Sequence, residues 1–117
     1  MLVSRHLRIA TLATAIIAVT SGGAFAQKKY DTGASDTEIK VGNIMPYSGP
    51  ASAYGVIGKT EEAYFKKINA EGGINGRKIT FVTYDDAYSP PKAVEQVRKL
   101  VESDDVLFVF NPLGTPS

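Results

Sequence analysis

The side chains with chemical potential in this sequence fall in two short loops. The first holds Tyr47, Ser48, Ser52 and Tyr54 around Gly49 and Gly55; the second holds Leu113, Gly114, Thr115 and Ser117. Their hydroxyls, and the backbone N–H groups near Gly49 and Gly114, donate hydrogen bonds. Loops that open onto helix N-termini favour anions such as a carboxylate. Tyr47 and Tyr54 can wall a pocket and add a hydroxyl. This set suits capture of a small anion rather than bond breaking. The chain has no cysteine and one histidine, His6, which removes most nucleophile–base pairs and most transition-metal sites. No cofactor is expected. Asp85-Asp86 is an adjacent acidic pair, but neighbours on an extended chain point to opposite sides. Loop hydrogen bonding is therefore the expectation, ahead of a shared metal ion. Glycine, serine and proline also build plain turns, so on spacing alone a binding loop and a turn both remain open.

These loops need elements to hold them. Glu38–Met45 has apolar residues at 39, 41, 44 and 45 and predicts a strand whose second half is the more buried. Pro46 and Tyr47–Pro50 stop it. A helix is predicted from about Tyr54 to Glu71, with Ile57, Tyr64 and Ile68 on one stripe and Val56 and Phe65 at its flanks. Lys59, Glu61, Glu62, Lys66 and Lys67 take its outer face, and Gly72-Gly73 ends it. Asn75-Gly76 signals a turn into a second strand, Lys78–Tyr84, covered on both sides. Ser89 as cap and Pro90 as first residue open another helix, with Val94, Val97, Leu100 and Val101 at helical spacing. Val106–Phe110 is wholly apolar and predicts a third, buried strand. The alternation argues for an α/β fold with a parallel sheet and crossover helices. With strand order 2-1-3, right-handed crossovers put the helices on opposite faces. The order reverses between the first and third strands, so their exit loops, Pro46–Gly55 and Asn111–Ser117, form the site.

The 117-residue chain is 44% hydrophobic and 21% charged, with net charge +1. That is ordinary for a globular domain and a poor match to nucleic acid or anionic lipid. Residues 1–26 have the pattern of a cleavable export signal: Arg5 and Arg8, then an apolar run from Ile9 to Thr20, then Ala24-Phe25-Ala26, with cleavage after Ala26. The run is about 12 residues, short of the roughly 20 that span a bilayer. Residues 27–37 are polar and predict a mobile lead-in. A dinucleotide fold would require Gly-x-Gly-x-x-Gly after the first strand, where Pro46-Tyr47-Ser48-Gly49-Pro50-Ala51 stands instead.

Several short pieces now combine. They are Ile39-Lys40-Val41-Gly42, Ser48-Gly49-Pro50, Tyr54-Gly55, Ile68-Asn69, the run from Glu71 to Ile79, Tyr84-Asp85-Asp86, Pro91 and Ala93-Val94. In this order behind an export signal, they resemble the amino-terminal portion of the branched-chain amino-acid-type (Leu/Ile/Val-binding) solute-binding proteins of ABC importers. The resemblance covers nearly all of residues 38–117. It implies a type I periplasmic binding fold, with residues 38–117 as part of the first of two lobes that trap ligand between them. It implies a monomer in the periplasm that delivers an amino acid or related small carboxylate to permease subunits of the inner membrane. In such proteins the loop after the third strand holds the ligand's carboxylate, which maps onto Leu113, Gly114 and Thr115. Tyr54 would approach the ligand, and Ser48 would shape its loop. Members of the family are several times longer, so the chain is expected to be a fragment holding half of a site. The ectodomain of a sensory receptor and a non-functional truncated product are the alternative expectations.

Overall fold

The structure, a computed structural model, describes residues 29–115. The expected export signal, its cleavage after Ala26, and Ser117 lie outside the described residues. Strand β1 spans Glu38–Met45, helix α1 Gly55–Ala70, strand β2 Lys78–Asp85, helix α2 Pro90–Glu102 and strand β3 Phe108–Val109, with a single 3₁₀ turn, Ser52–Tyr54, before α1. The sheet is parallel, in the order β2-β1-β3. The expected α/β architecture and strand order are therefore present.

Alternation along β1 assigns each helix its side of the sheet. Ile44 joins Ala93, Leu100 and Val106 in a buried cluster on the α2 side, with Val82, Tyr84, Val97 and Val109 packed against it. On the α1 side, Phe65 meets Phe81 and Phe110 at centroid distances of 5.1 and 6.0 Å. β1 is more buried in its second half, as its pattern predicts.

Turn chemistry follows the sequence closely. Asn75 (φ 51) and Gly76 (φ 76) form a tight turn, and Ile74 and Arg77 exchange both backbone hydrogen bonds across it. Gly73 ends α1 with φ +79, and a Cβ there would lie 2.0 Å from the Arg77 carbonyl oxygen, so only glycine fits. Asn69, in the last turn of α1, exchanges two 2.7 Å bonds with the backbone of Ile79. Its amide takes the place of a neighbouring strand on the outer edge of β2.

Four expectations need correction or refinement. The inward side of α1 is not the stripe through Tyr64, which is 58% exposed; Val56 is 61% exposed. Ile57 and Ile68 of the expected stripe are half-buried, but Gly58, Glu61 and Phe65 join them on that side in place of Tyr64. The reason is Gly58: a Cβ there would stand 2.2 Å from the Tyr47 hydroxyl, so the helix turns its glycine toward that tyrosine. On α2, Leu100 and Ala93 are buried, but Val94 and Val101 remain more than half exposed. Ser89 occupies the cap position of α2 without a side-chain capping bond. Pro90 and Pro91 lack N–H groups, which leaves fewer donors there to satisfy. Finally, β3 is two residues long rather than five, and it is a half-exposed edge, with Phe108 48% and Phe110 41% exposed. Val106 N–H is already committed to the Leu100 carbonyl at the end of α2, which pulls the start of the run off the ladder.

Residues 29–37, expected as a lead-in, fold back on the sheet. Tyr30 lies under the Arg77 guanidinium at 5.0 Å, Ala34 bridges Ile39, and the Gly33 carbonyl accepts from Lys40 N–H.

Candidate functional site

The site is built where β1 and β3 leave the sheet. After Met45 the chain turns through Pro46, and Asp85, at the end of neighbouring β2, gathers the turn. Its Oδ1 accepts from the N–H groups of Tyr47 (2.9 Å), Ser48 (3.1 Å) and Ala87 (2.9 Å), and its Oδ2 accepts from the Ser48 hydroxyl. Burial opposes ionisation of Asp85, but the Ser48 hydroxyl and the N–H groups of Ala87, Ser48 and Tyr47 outweigh it. They hold the carboxyl below its ordinary value. Asp86 is fully buried, and its Oδ1 accepts from Tyr88 N–H at 2.9 Å. The acidic pair thus makes loop hydrogen bonds, as expected, and its bonds support the left-handed Ala87 and Tyr88 (φ 49 and 59).

Tyr47 does not wall an open cleft. It lies half-buried beneath Gly58, with its hydroxyl 2.7 Å from Thr83 Oγ1. Thr83 donates its own proton to Asn43 Oδ1 at 2.8 Å, so the phenol must be the donor in the Tyr47–Thr83 bond. Burial pushes the Tyr47 phenol up; the Thr83 bond opposes this, while the charges of Glu62, Glu61 and Asp85 add to it.

Asn43 extends this chain of bonds to the third strand. Its side chain is wholly buried. Nδ2 donates to the carbonyls of Phe110 (2.9 Å) and Asn111 (3.0 Å) and lies 3.4 Å from Glu61 Oε2. Asn111, itself left-handed at φ 47, donates its side-chain amide to Glu61 Oε1. Just beyond, Leu113 N–H donates to the Ile44 carbonyl at 3.3 Å. The two exit loops therefore leave the same edge of the sheet, side by side.

The candidate residues are distributed as follows. Ser48 is exposed, but its hydroxyl proton is committed to Asp85, which makes it a shaper of the loop. Tyr54 is 56% exposed at the end of the 3₁₀ turn. Leu113 and Gly114 are half-buried and Thr115 is exposed. Two apolar grooves flank β3. One, of about 520 Å³, lies against α2 and reaches Pro112 and Gly114; the other, of about 550 Å³, lies against α1 and reaches Tyr64 and Phe110. Neither is lined by Ser48, Tyr54 or Thr115. Sequence reasoning missed Asn43, Glu61, Thr83 and Asn111. The available signal was Asn43 itself, an amide within the half of β1 that had to be buried.

An open parallel sheet with hydroxyl-rich loops at its order reversal has the layout in which α/β folds place ligands. Comparison with known proteins agrees. Residues 38–117 match the family model described as periplasmic binding protein. The chain is 40% identical over 81 residues to the Leu/Ile/Val-binding protein of Escherichia coli K12, covering 68% of this chain and 22% of that one. A fatty acid ABC transporter substrate-binding protein from Thermomonospora curvata superposes with a TM-score of 0.64 at 32% identity, over 75% of this chain and 22% of that one. The branched-chain amino acid transporter substrate-binding protein LivJ from Streptococcus pneumoniae, in complex with isoleucine, gives 0.60 at 30% identity, over 65% and 22%. The chain belongs to the periplasmic binding protein family, and its fold is that of the type I members. It spans 22% of the length of the first curated relatives it matches.

Proposed function

We propose that this segment supplies one side of the ligand cleft in the extracytoplasmic binding component of an ABC importer. The ligand is a branched-chain amino acid or a related small carboxylate. The observation that carries this is the pairing of the β1 and β3 exit loops, sealed by the Leu113–Ile44 hydrogen bond. It brings the Leu113-Gly114-Thr115 stretch beside the end of β1, and in this reading Tyr54 faces it from the β1 loop.

The backbone N–H groups of Gly114 and Thr115 and the Thr115 hydroxyl receive the carboxylate, and Tyr54 lies against the rest of the ligand. Isoleucine and fatty acids, named for two structural neighbours, share a carboxylate head and an apolar tail, which is the chemistry these loops suit. A second lobe closes over the ligand. The binding protein works in the periplasm, hands its cargo to permease subunits and catalyses nothing. Among the described residues no helix is long and apolar enough to cross a membrane.

Titration calorimetry tests this on the longest natural polypeptide carrying the sequence, with leucine, isoleucine, hexanoate and benzoate as probes. Saturable binding of at least one is expected. Thr115→Ala should weaken that binding by about 1–3 kcal/mol, the cost of stranding a buried acceptor. Binding of none would refute the function, and an unchanged affinity would remove Thr115 from the site.

A further inference from the structure

The β3 exit loop is tied to β1 by few backbone bonds, the last of them from Leu113 N–H to the Ile44 carbonyl. β3 pairs with β1 over only Phe108 and Val109, and its outer edge carries no strand among the described residues. Past Val109, the Phe110 N–H still reaches the Gly42 carbonyl at 2.7 Å. The Phe110 and Asn111 carbonyls are taken by one side chain, that of Asn43. Asn111 then bends left-handed, and its amide is taken by Glu61 of α1. The geometry points to an Asn43–Glu61–Asn111 clamp that positions the ligand-holding loop. It reinforces this sparse ladder and presents the Gly114 and Thr115 N–H groups at the carboxyl edge of the sheet.

Three features distinguish this clamp from ordinary core filling. Asn43 is wholly buried in a strand whose other buried side chains, Val41, Ile44 and Met45, are apolar. Its amide orientation is fixed on both sides, since Oδ1 receives Thr83 and Nδ2 meets only acceptors. Glu61 is half-buried on the inward side of α1, in a position that a helix packed only by hydrophobic contact would give to an apolar residue. All three residues converge on the few atoms where the third strand becomes the loop.

This role rests on the proposed function for its meaning, but amide hydrogen exchange tests it without any ligand. In the longest natural polypeptide carrying the sequence, Glu61→Ala removes the acceptor for both amides from a partly exposed helix position, and Asn111→Ala removes the donor. Each should speed exchange at the Leu113 amide about tenfold or more while Phe81 and Val82 in β2 keep their protection. Glu61→Gln retains one acceptor oxygen, enough for Asn111, and should restore most of the wild-type protection. Unchanged exchange at Leu113 in both alanine variants would overturn the clamp, and so would a uniform rise across the sheet, which would mark a general stability effect. In the binding arm, isoleucine and benzoate affinities should fall about tenfold in Glu61→Ala and recover in Glu61→Gln. Unchanged affinity alongside faster exchange would overturn the positioning role. If wild type binds none of the probes, the proposed function fails, while the exchange contrast still decides the clamp.

Discussion

The loop leaving β1 is held by a partner directly beside it. Asp85 ends the adjacent strand in register with Met45, and it collects two backbone N–H groups and a hydroxyl from Tyr47 and Ser48. The loop leaving β3 has no such neighbour. It is held from beneath by side chains of β1 and α1, Asn43 and Glu61, which lie 68 and 50 positions away from Asn111 in sequence. One loop is therefore secured by sheet register, whereas the other depends on a partly buried polar network completed only when β1, β3 and α1 have assembled. Such networks stabilise when every member is satisfied and cost heavily when one is lost.

The strongest way to break this contrast is Asn43→Ala. It strands the Thr83 hydroxyl and two carbonyls, and each buried orphan costs about 1–3 kcal/mol. A loss of about 3 kcal/mol in urea unfolding is expected. A loss below about 1 kcal/mol would show that water replaces the amide without penalty.

Gly58→Ala comes next. Its Cβ would meet the Tyr47 hydroxyl at 2.2 Å and Met45 Cγ at 3.2 Å. The tyrosine must move or α1 must lift, at about 1–3 kcal/mol. In the double variant Gly58→Ala/Tyr47→Ala the alanine at 58 should cost much less than in wild type. Equal costs in both backgrounds would show that Tyr47 is not what forbids a side chain at 58.

The β1 loop should show itself through acid. The folded pKa of Asp85 lies below its ordinary value of 3.8. Its contribution is therefore complete above that value and fades as pH falls through the lower folded value. Asp85→Asn should flatten that part of the stability–pH profile in urea melts. A profile identical to wild type would remove Asp85 as the anchor of the β1 loop.

Tyr47→Phe is the mildest change, removing one hydrogen bond at about 1 kcal/mol. Because the folded phenol is raised above 10.0, its contribution is complete below that pH and lost as pH climbs through the folded value. The phenylalanine variant should lose this alkaline sensitivity. Alkaline unfolding unchanged from wild type would show that other groups govern it.

Much of the fold was legible because it follows from short-range rules. Asn75-Gly76 makes its turn, and Gly72-Gly73 ends α1. Tyr64 misled because aromatic character at helical spacing resembles a core stripe, whereas the true inward side runs through a glycine and a glutamate. Neither residue carries a hydrophobic signal. Val106–Phe110 misled because an apolar run signals burial without saying how much of it a neighbour will pair. Ser48 was correctly placed in the loop, but its partner Asp85 lies 37 positions away, beyond any local pattern.

Local sequence alone determined the alternation of strands and helices, the turns between them and the parallel sense of the sheet, because these depend on periodicity, on glycine and proline geometry, and on the length of the crossover connections. Tertiary structure alone decided which side of α1 faces the sheet, how long β3 is, and what holds its exit loop. Those outcomes depend on hydrogen bonds and close approaches between distant residues, and the partners of Asn43 do not exist until β2, β3 and α1 have all been laid against β1.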